Sequence, residues 1–132
     1  MPLFENDTLF VRAETHGTNS MVDALTRDGT YKISTAESAD AVLLGRITNL
    51  EYSQVSSIRT DSLRSEELGL TVYIEWSLVE ASNSSRILEK GRSSGRTTFF
   101  ARGNLNIART NALPDALRRA CESTTARLAD GF

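Results

Sequence analysis

The chain has 132 residues, 39% of them hydrophobic and 24% charged, with a formal net charge of −2. That length suits one domain spanning 1–132 around a single core, and that balance describes a folded globular protein rather than a disordered tail. The slight negative charge supplies no basic field for nucleic acid, no apolar run reaches the roughly 18–20 residues of a membrane span, and a single cysteine, Cys121, excludes an internal disulfide or a CxxC pair.

The chain opens on PLFENDT, residues 2–8. Leu3 and Phe4 read as the end of a β-strand, and Asn6, Asp7 and Thr8 are turn and cap types whose short polar side chains bond nearby backbone N–H groups. A strand that opens a domain normally has four or more residues before its turn. Most of a first strand is therefore expected upstream of Met1. No signal-peptide pattern occurs within the chain.

Spacing predicts a helix from about Arg12 to Arg27. Val11, Thr15, Thr18, Met21, Val22 and Leu25 recur at three and four, and Gly29 is the expected left-handed stop. Gly17 is expected to weaken this helix by about 1 kcal/mol relative to Ala. Tyr31–Ser34 reads as a short strand and Thr35–Asp40 as a connection. Ala41–Ser56 reads as a long strand, with Leu43, Gly45 and Ile47 on one face and Val42, Leu44, Arg46 and Thr48 on the other. Ser56–Glu67, rich in Ser and Arg, reads as a loop.

The clearest pattern follows. Leu68, Leu70, Val72, Ile74, Trp76 and Leu78 alternate with Gly69, Thr71, Tyr73, Glu75 and Ser77, which is the strict period of a half-buried strand. Ala81–Ser85 is a turn, and Arg86–Phe100 returns as the partner strand of a long hairpin. A last helix spans about Ala112 to Asp130. Its apolar stripe is Leu113, Leu117, Ala120, Cys121, Thr124 and Leu128, and Pro114 falls in its first turn, where N–H groups have no helical acceptor. The fold class is α+β: a two-layer sandwich, with two helices on one face of a mostly antiparallel sheet of four to five strands. The other face is left open.

Catalytic chemistry is not evident. His16 is the lone histidine and reads as a surface residue, with a His16-dependent hydrolase as a remote reading. Cys121 sits on an apolar stripe, where a thiol acts as a small hydrophobe. Glu66 and Glu67 are the one adjacent carboxylate pair and read as solvated. No HExxH, EF-hand or phosphate-loop motif occurs, and no cofactor or metal is expected. GRSSG at 91–95 reads as glycines within a strand, allowing a bulge or close helix approach.

Around it, in LEKGRSSGRTTFF, Lys90, Arg92 and Arg96 all lie at even positions, with Ser94 and Thr98 between them. Ile87, Gly91, Gly95 and Phe99 take the odd ones. Strand parity therefore places three cations on the face away from the core, alternate residues being about 7 Å apart. Such a stripe serves as a solubilising or edge-protecting strand face, or as a site for an anionic ligand, since guanidinium groups fork onto phosphates.

Taken together, PLFENDT, a helix ending in LTRDG, then ADAVLLGRI, LTVYIEWSLVEA and the closing ALPDALRRACESTTARLAD resemble the lipopolysaccharide-assembly lipoproteins of the LptE type. The resemblance runs in order over nearly the whole chain, although AETHGTNSM is more polar than the family's first helix. It implies a non-enzymatic protein on the periplasmic side of the Gram-negative outer membrane, held there by an N-terminal lipidated cysteine. The signal peptide and lipobox would lie upstream of Met1. It also implies that the protein plugs the lumen of a β-barrel lipopolysaccharide-assembly partner and binds lipopolysaccharide, whose phosphates would meet Lys90, Arg92 and Arg96. The competing expectation is a general envelope lipoprotein of the same fold, acting as an adaptor with no lipid ligand.

Overall fold

The structure is a computed structural model that describes residues 4–8, 12–30, 32–34, 38–57, 66–101 and 105–130. Its elements run β1 (Glu5–Asn6), α1 (Ala13–Asp28), β2 (Ala41–Ser57), β3 (Glu66–Glu80), β4 (Asn83–Ala101) and α2 (Leu105–Asp130). The sheet order is β1-β2-β3-β4. β1 runs parallel to β2, and the other neighbours are antiparallel. Both helices pack against this mixed sheet, giving the α+β architecture expected, with four strands.

The first strand is displaced from its expected place. Glu5 and Asn6 pair with Arg46 and Ile47, while Phe4 is buried just before them. The turn follows at once, with the Thr8 N–H donating to Asn6 Oδ1 at 2.9 Å. Lys32–Ser34 form no strand, and Tyr31 lies outside the described residues. Ser56, Ser57, Glu66 and Glu67 belong to the β2–β3 ladder rather than to a loop, and residues 58–65 lie outside the described set.

α1 ends where its sequence says it should: Gly29 takes φ 77°, and its N–H reaches the Leu25 carbonyl at 3.1 Å. Its buried stripe, however, is Ala13, Gly17, Met21, Ala24 and Leu25. Gly17 is therefore a contact position, not merely a weak point. A Cβ there would lie 2.9 Å from Phe4 Cδ2 and 3.2 Å from Ile47 Cδ1. Val11 lies outside the described residues.

α2 begins seven residues before its expected start, at Leu105, so Pro114 sits inside the helix. Proline has no N–H for the Thr110 carbonyl one turn back, which is why a helix start was the natural reading of that residue. The apolar stripe is as expected, with Leu113, Leu117, Ala120, Cys121, Thr124 and Leu128 all buried. Fully burying one leucine of this kind contributes about 2 kcal/mol. The helix lies very close to β4: a Cβ on Gly95 would stand 2.2 Å from both the Ala116 carbonyl oxygen and the Ala120 nitrogen. Side-chain atoms can move aside, but backbone of a packed helix cannot. Position 95 therefore sets how near α2 comes.

Two irregularities re-aim side chains. A register shift between Ile47 and Asn49 carries the core-facing series from Leu43 and Ile47 onto Leu50 and Tyr52. A second, around Leu78–Glu80, makes Val79 pair with Ile87 while Ser77 pairs with Lys90. Ile87 is thereby turned away from the helices onto the open face, where it is 51% exposed, contrary to its odd-position expectation.

Candidate functional site

The open face of β2, β3 and β4 carries Arg46, Glu75, Lys90, Arg92 and Arg96. Register aligns Arg46 with Glu75 and Glu75 with Arg92 across three strands, and sets Lys90 beside Ser77 and Arg96 beside Thr71. Lys90, Arg92 and Arg96 are all exposed. They lie along one strand face, about 7 Å apart for Lys90 and Arg92 and about twice that for Arg92 and Arg96.

Their electrostatic surroundings differ. Arg92 Nε stands 3.4 Å from Glu75 Oε1, with most of its side chain in solvent. Neither Lys90 nor Arg96 forms an ion pair with a carboxylate among the described residues. The Arg96 guanidinium lies over Gly69, where a Cβ would stand 2.8 Å from it and 2.7 Å from Ser53 Oγ. The missing side chain at 69 lets the guanidinium lie flat on the sheet.

Arg46, at the other side of the face, is held by Glu5 at 3.1 Å and Asp7 at 3.7 Å. Tyr73 donates its hydroxyl to Glu51 at 2.8 Å, and this bond, with desolvation behind it, raises the phenol's pKa above its ordinary value. An open concavity of about 770 Å³ is lined by Leu44, Arg46, Glu75, Ile87, Lys90 and Arg92, among others. Apolar Leu44 and Ile87, both exposed, stand in it beside cations of β2 and β4. An adjoining depression of about 210 Å³ continues past Tyr73 and Glu51. The arrangement suits an amphiphilic anion better than a small polar substrate, because charge and apolar surface are offered side by side.

The groups considered for catalysis lie elsewhere. His16 is exposed on α1. Cys121 is fully buried between the helices with its Sγ 3.7 Å from the Gly17 carbonyl oxygen, and burial, helped by the nearby Glu122 charge, pushes its thiol up to about 12. Glu67 is half-buried in β3. Among the described residues no group of three or more His, Cys, Asp or Glu could hold a metal ion, and no helix is long and apolar enough to cross a membrane.

The lipopolysaccharide-assembly family LptE matches residues 1–130. This chain belongs to that family. Membership carries with it a role in lipopolysaccharide assembly at the outer membrane of Gram-negative cells. No curated protein sequence matches it. Among solved structures, an Acinetobacter baumannii minor lipoprotein is similar in fold, with a TM-score of 0.59 and 10% identity over 97% of this chain and 92% of that one. A Caulobacter crescentus lipoprotein gives 0.53 and 19% identity over 96% and 84%. A Helicobacter pylori homolog of a neuraminyllactose-binding hemagglutinin gives 0.58 and 14% over 98% and 80%. At such identities these likenesses speak for the fold.

In this LptE-family domain the helix layer also carries charges, and they are arranged differently. On α2, Asp115 accepts from Arg118 at 2.6 Å and Arg119 at 3.0 Å, and Arg118 reaches Glu122 at 2.7 Å. A hydrogen bond from Thr97 of β4, together with those from Arg118 and Arg119, holds the Asp115 carboxyl down at about 2. Arg109 and Arg127 lie over aromatic rings, 4.2 Å from the Tyr52 centroid and 5.8 Å from that of Trp76. Sequence reasoning had Arg46 on the open face by parity but missed its carboxylate partners, because those come from β1 and the turn just after it. Ile87 was missed because no residue type announces a bulge.

Proposed function

We propose that the protein is a component of the lipopolysaccharide-export translocon that seats in the lumen of an outer-membrane β-barrel partner and binds lipopolysaccharide on its open sheet face. Lys90, Arg92 and Arg96 meet the lipid A phosphates, and the apolar patch at Leu44 and Ile87 accepts the start of the acyl region. The observation that carries this reading is the pairing pattern. Arg46 and Arg92 have carboxylate partners, whereas Lys90 and Arg96 present charge to solvent on the same face.

A barrel lumen is polar, so a protein that plugs it needs a hydrophilic exterior. An open sheet face with charged residues from all four strands supplies one. Segment 56–67, between β2 and β3 in sequence, would be a further contact surface. In this reading residues 1–132 act as one domain, held at the periplasmic side of the outer membrane by an N-terminal lipid.

Co-purification of the natural full-length gene product from mild-detergent membranes tests the partner. The expected result is a large outer-membrane β-barrel at near one-to-one stoichiometry. Recovery with a soluble or inner-membrane partner and no barrel would overturn the plug and favour an adaptor.

A further inference from the structure

β4 is the longest strand and the last in the sheet order, and among the described residues no strand pairs with its outer edge. Such an edge presents a row of backbone N–H and C=O groups that templates another strand, and natural sheets guard it with short length, proline, bulges, cover, or charge that repels like-charged strands. Over Lys90–Phe100 β4 uses none of the first three. The strand contains no proline, and its register with β3 runs unbroken here, the shifts being confined to the stretch facing Leu78–Glu80. What it carries is charge of one sign. Lys90, Arg92 and Arg96 are exposed, and no carboxylate occurs between Lys90 and Ala101. The residues among them are small: Gly91, Ser93, Ser94, Gly95, Thr97 and Thr98.

That charge decides between occupants. Antiparallel pairing of two copies with Ser94 opposite itself would set Arg92 across from Arg96, and centring the pair on Ser93 would set Lys90 across from Arg96; centring it on Gly95 puts no cation directly opposite another but leaves the two Arg96 side chains as diagonal neighbours. Like charges directly opposite destabilise a ladder, so a second copy is disfavoured. A strand with carboxylates at alternate positions would meet the same cations with opposite sign. We infer that the outer edge of β4, over Lys90–Phe100, takes an extended acidic segment of a partner protein by strand addition. Main-chain hydrogen bonds supply the attachment, and alternate side chains on the open face supply the choice of partner. The inference does not depend on lipopolysaccharide binding, because the contact is made by edge amides.

The test is a titration of isotope-labelled protein with a short synthetic peptide alternating Glu and Thr, compared with the same peptide carrying Lys for Glu. The expected result is preference for the acidic peptide and slowing of exchange, on the order of tenfold, at alternate β4 amides between Lys90 and Phe100. A Lys90→Glu/Arg96→Glu variant should reverse the preference. Because the wild-type comparison stands alone, a variant that fails to fold leaves the test intact. Equal binding of both peptides, no binding of the acidic one, acidic binding without β4 amide protection, or spontaneous dimers through β4 would each overturn the inference. None of these results depends on whether lipopolysaccharide binds.

Discussion

The two faces of the sheet are built on opposite principles. The helix-covered face is close-packed: Trp76, buried there, gives its indole N–H to Ser93 Oγ at 3.1 Å, and α2 comes down onto Gly95 until backbone nearly meets backbone, although Glu89, paired with core-facing Leu78, also lies on this side with one carboxylate oxygen buried. The open face is loosely furnished with long charged side chains, of which Lys90 and Arg96 form no ion pair with a carboxylate among the described residues. On the first face small changes in volume matter most. On the second, volume matters little and the sign of charge matters most. The fold is carried by one face, and the binding proposed above is left to the other.

The sharpest way to break that contrast is at position 95. Gly95→Val should cost more than about 3 kcal/mol, because α2 must lift off β4; urea unfolding followed by circular dichroism reads it. A variant as stable as wild type would show that the helix is not seated as described. Next in size is Ser93→Ala, which strands the buried indole N–H of Trp76 and should cost roughly 1–2 kcal/mol in the same assay.

Smaller still is the effect of Asp115. Its carboxyl is held at about 2, below its ordinary value of 3.8, so its contribution is complete above pH 4 and disappears as pH falls through about 2. Asp115→Asn should therefore be less stable than wild type at neutral pH, with the gap closing across that acid window in melts taken at a series of pH values. The smallest effect on stability belongs to the open face: Lys90→Glu/Arg96→Glu should lie within about 0.5 kcal/mol of wild type in thermal melts.

Legibility in the sequence followed the same division. The alternation of Leu70, Val72, Ile74 and Trp76 gave the central strand, the glycine after Asp28 gave a helix end, and strand parity placed Lys90, Arg92 and Arg96 together on the exposed face. These signals are local and periodic. What escaped was non-local. The start of α2 nine residues before Pro114 has no local signal, and the value of Gly17 depends on Phe4 and Ile47, distant in sequence; the close helix approach at Gly95 was legible in the glycines of GRSSG, but not its partners Ala116 and Ala120. The turning of Ile87 comes from a register shift that composition does not encode. Arg46 showed its face but not its partners, since Glu5 and Asp7 arrive from a two-residue strand and the residue just after it.

The most direct test of the account is lipopolysaccharide binding measured on three proteins side by side: wild type, Lys90→Glu/Arg96→Glu on the open face, and Arg118→Glu/Arg119→Glu on the helix layer. The account predicts that wild type binds with an affinity that falls as salt rises, that the open-face variant loses on the order of tenfold or more, and that the helix variant binds like wild type. Equal affinity in all three, or a loss confined to the helix variant, would contradict it.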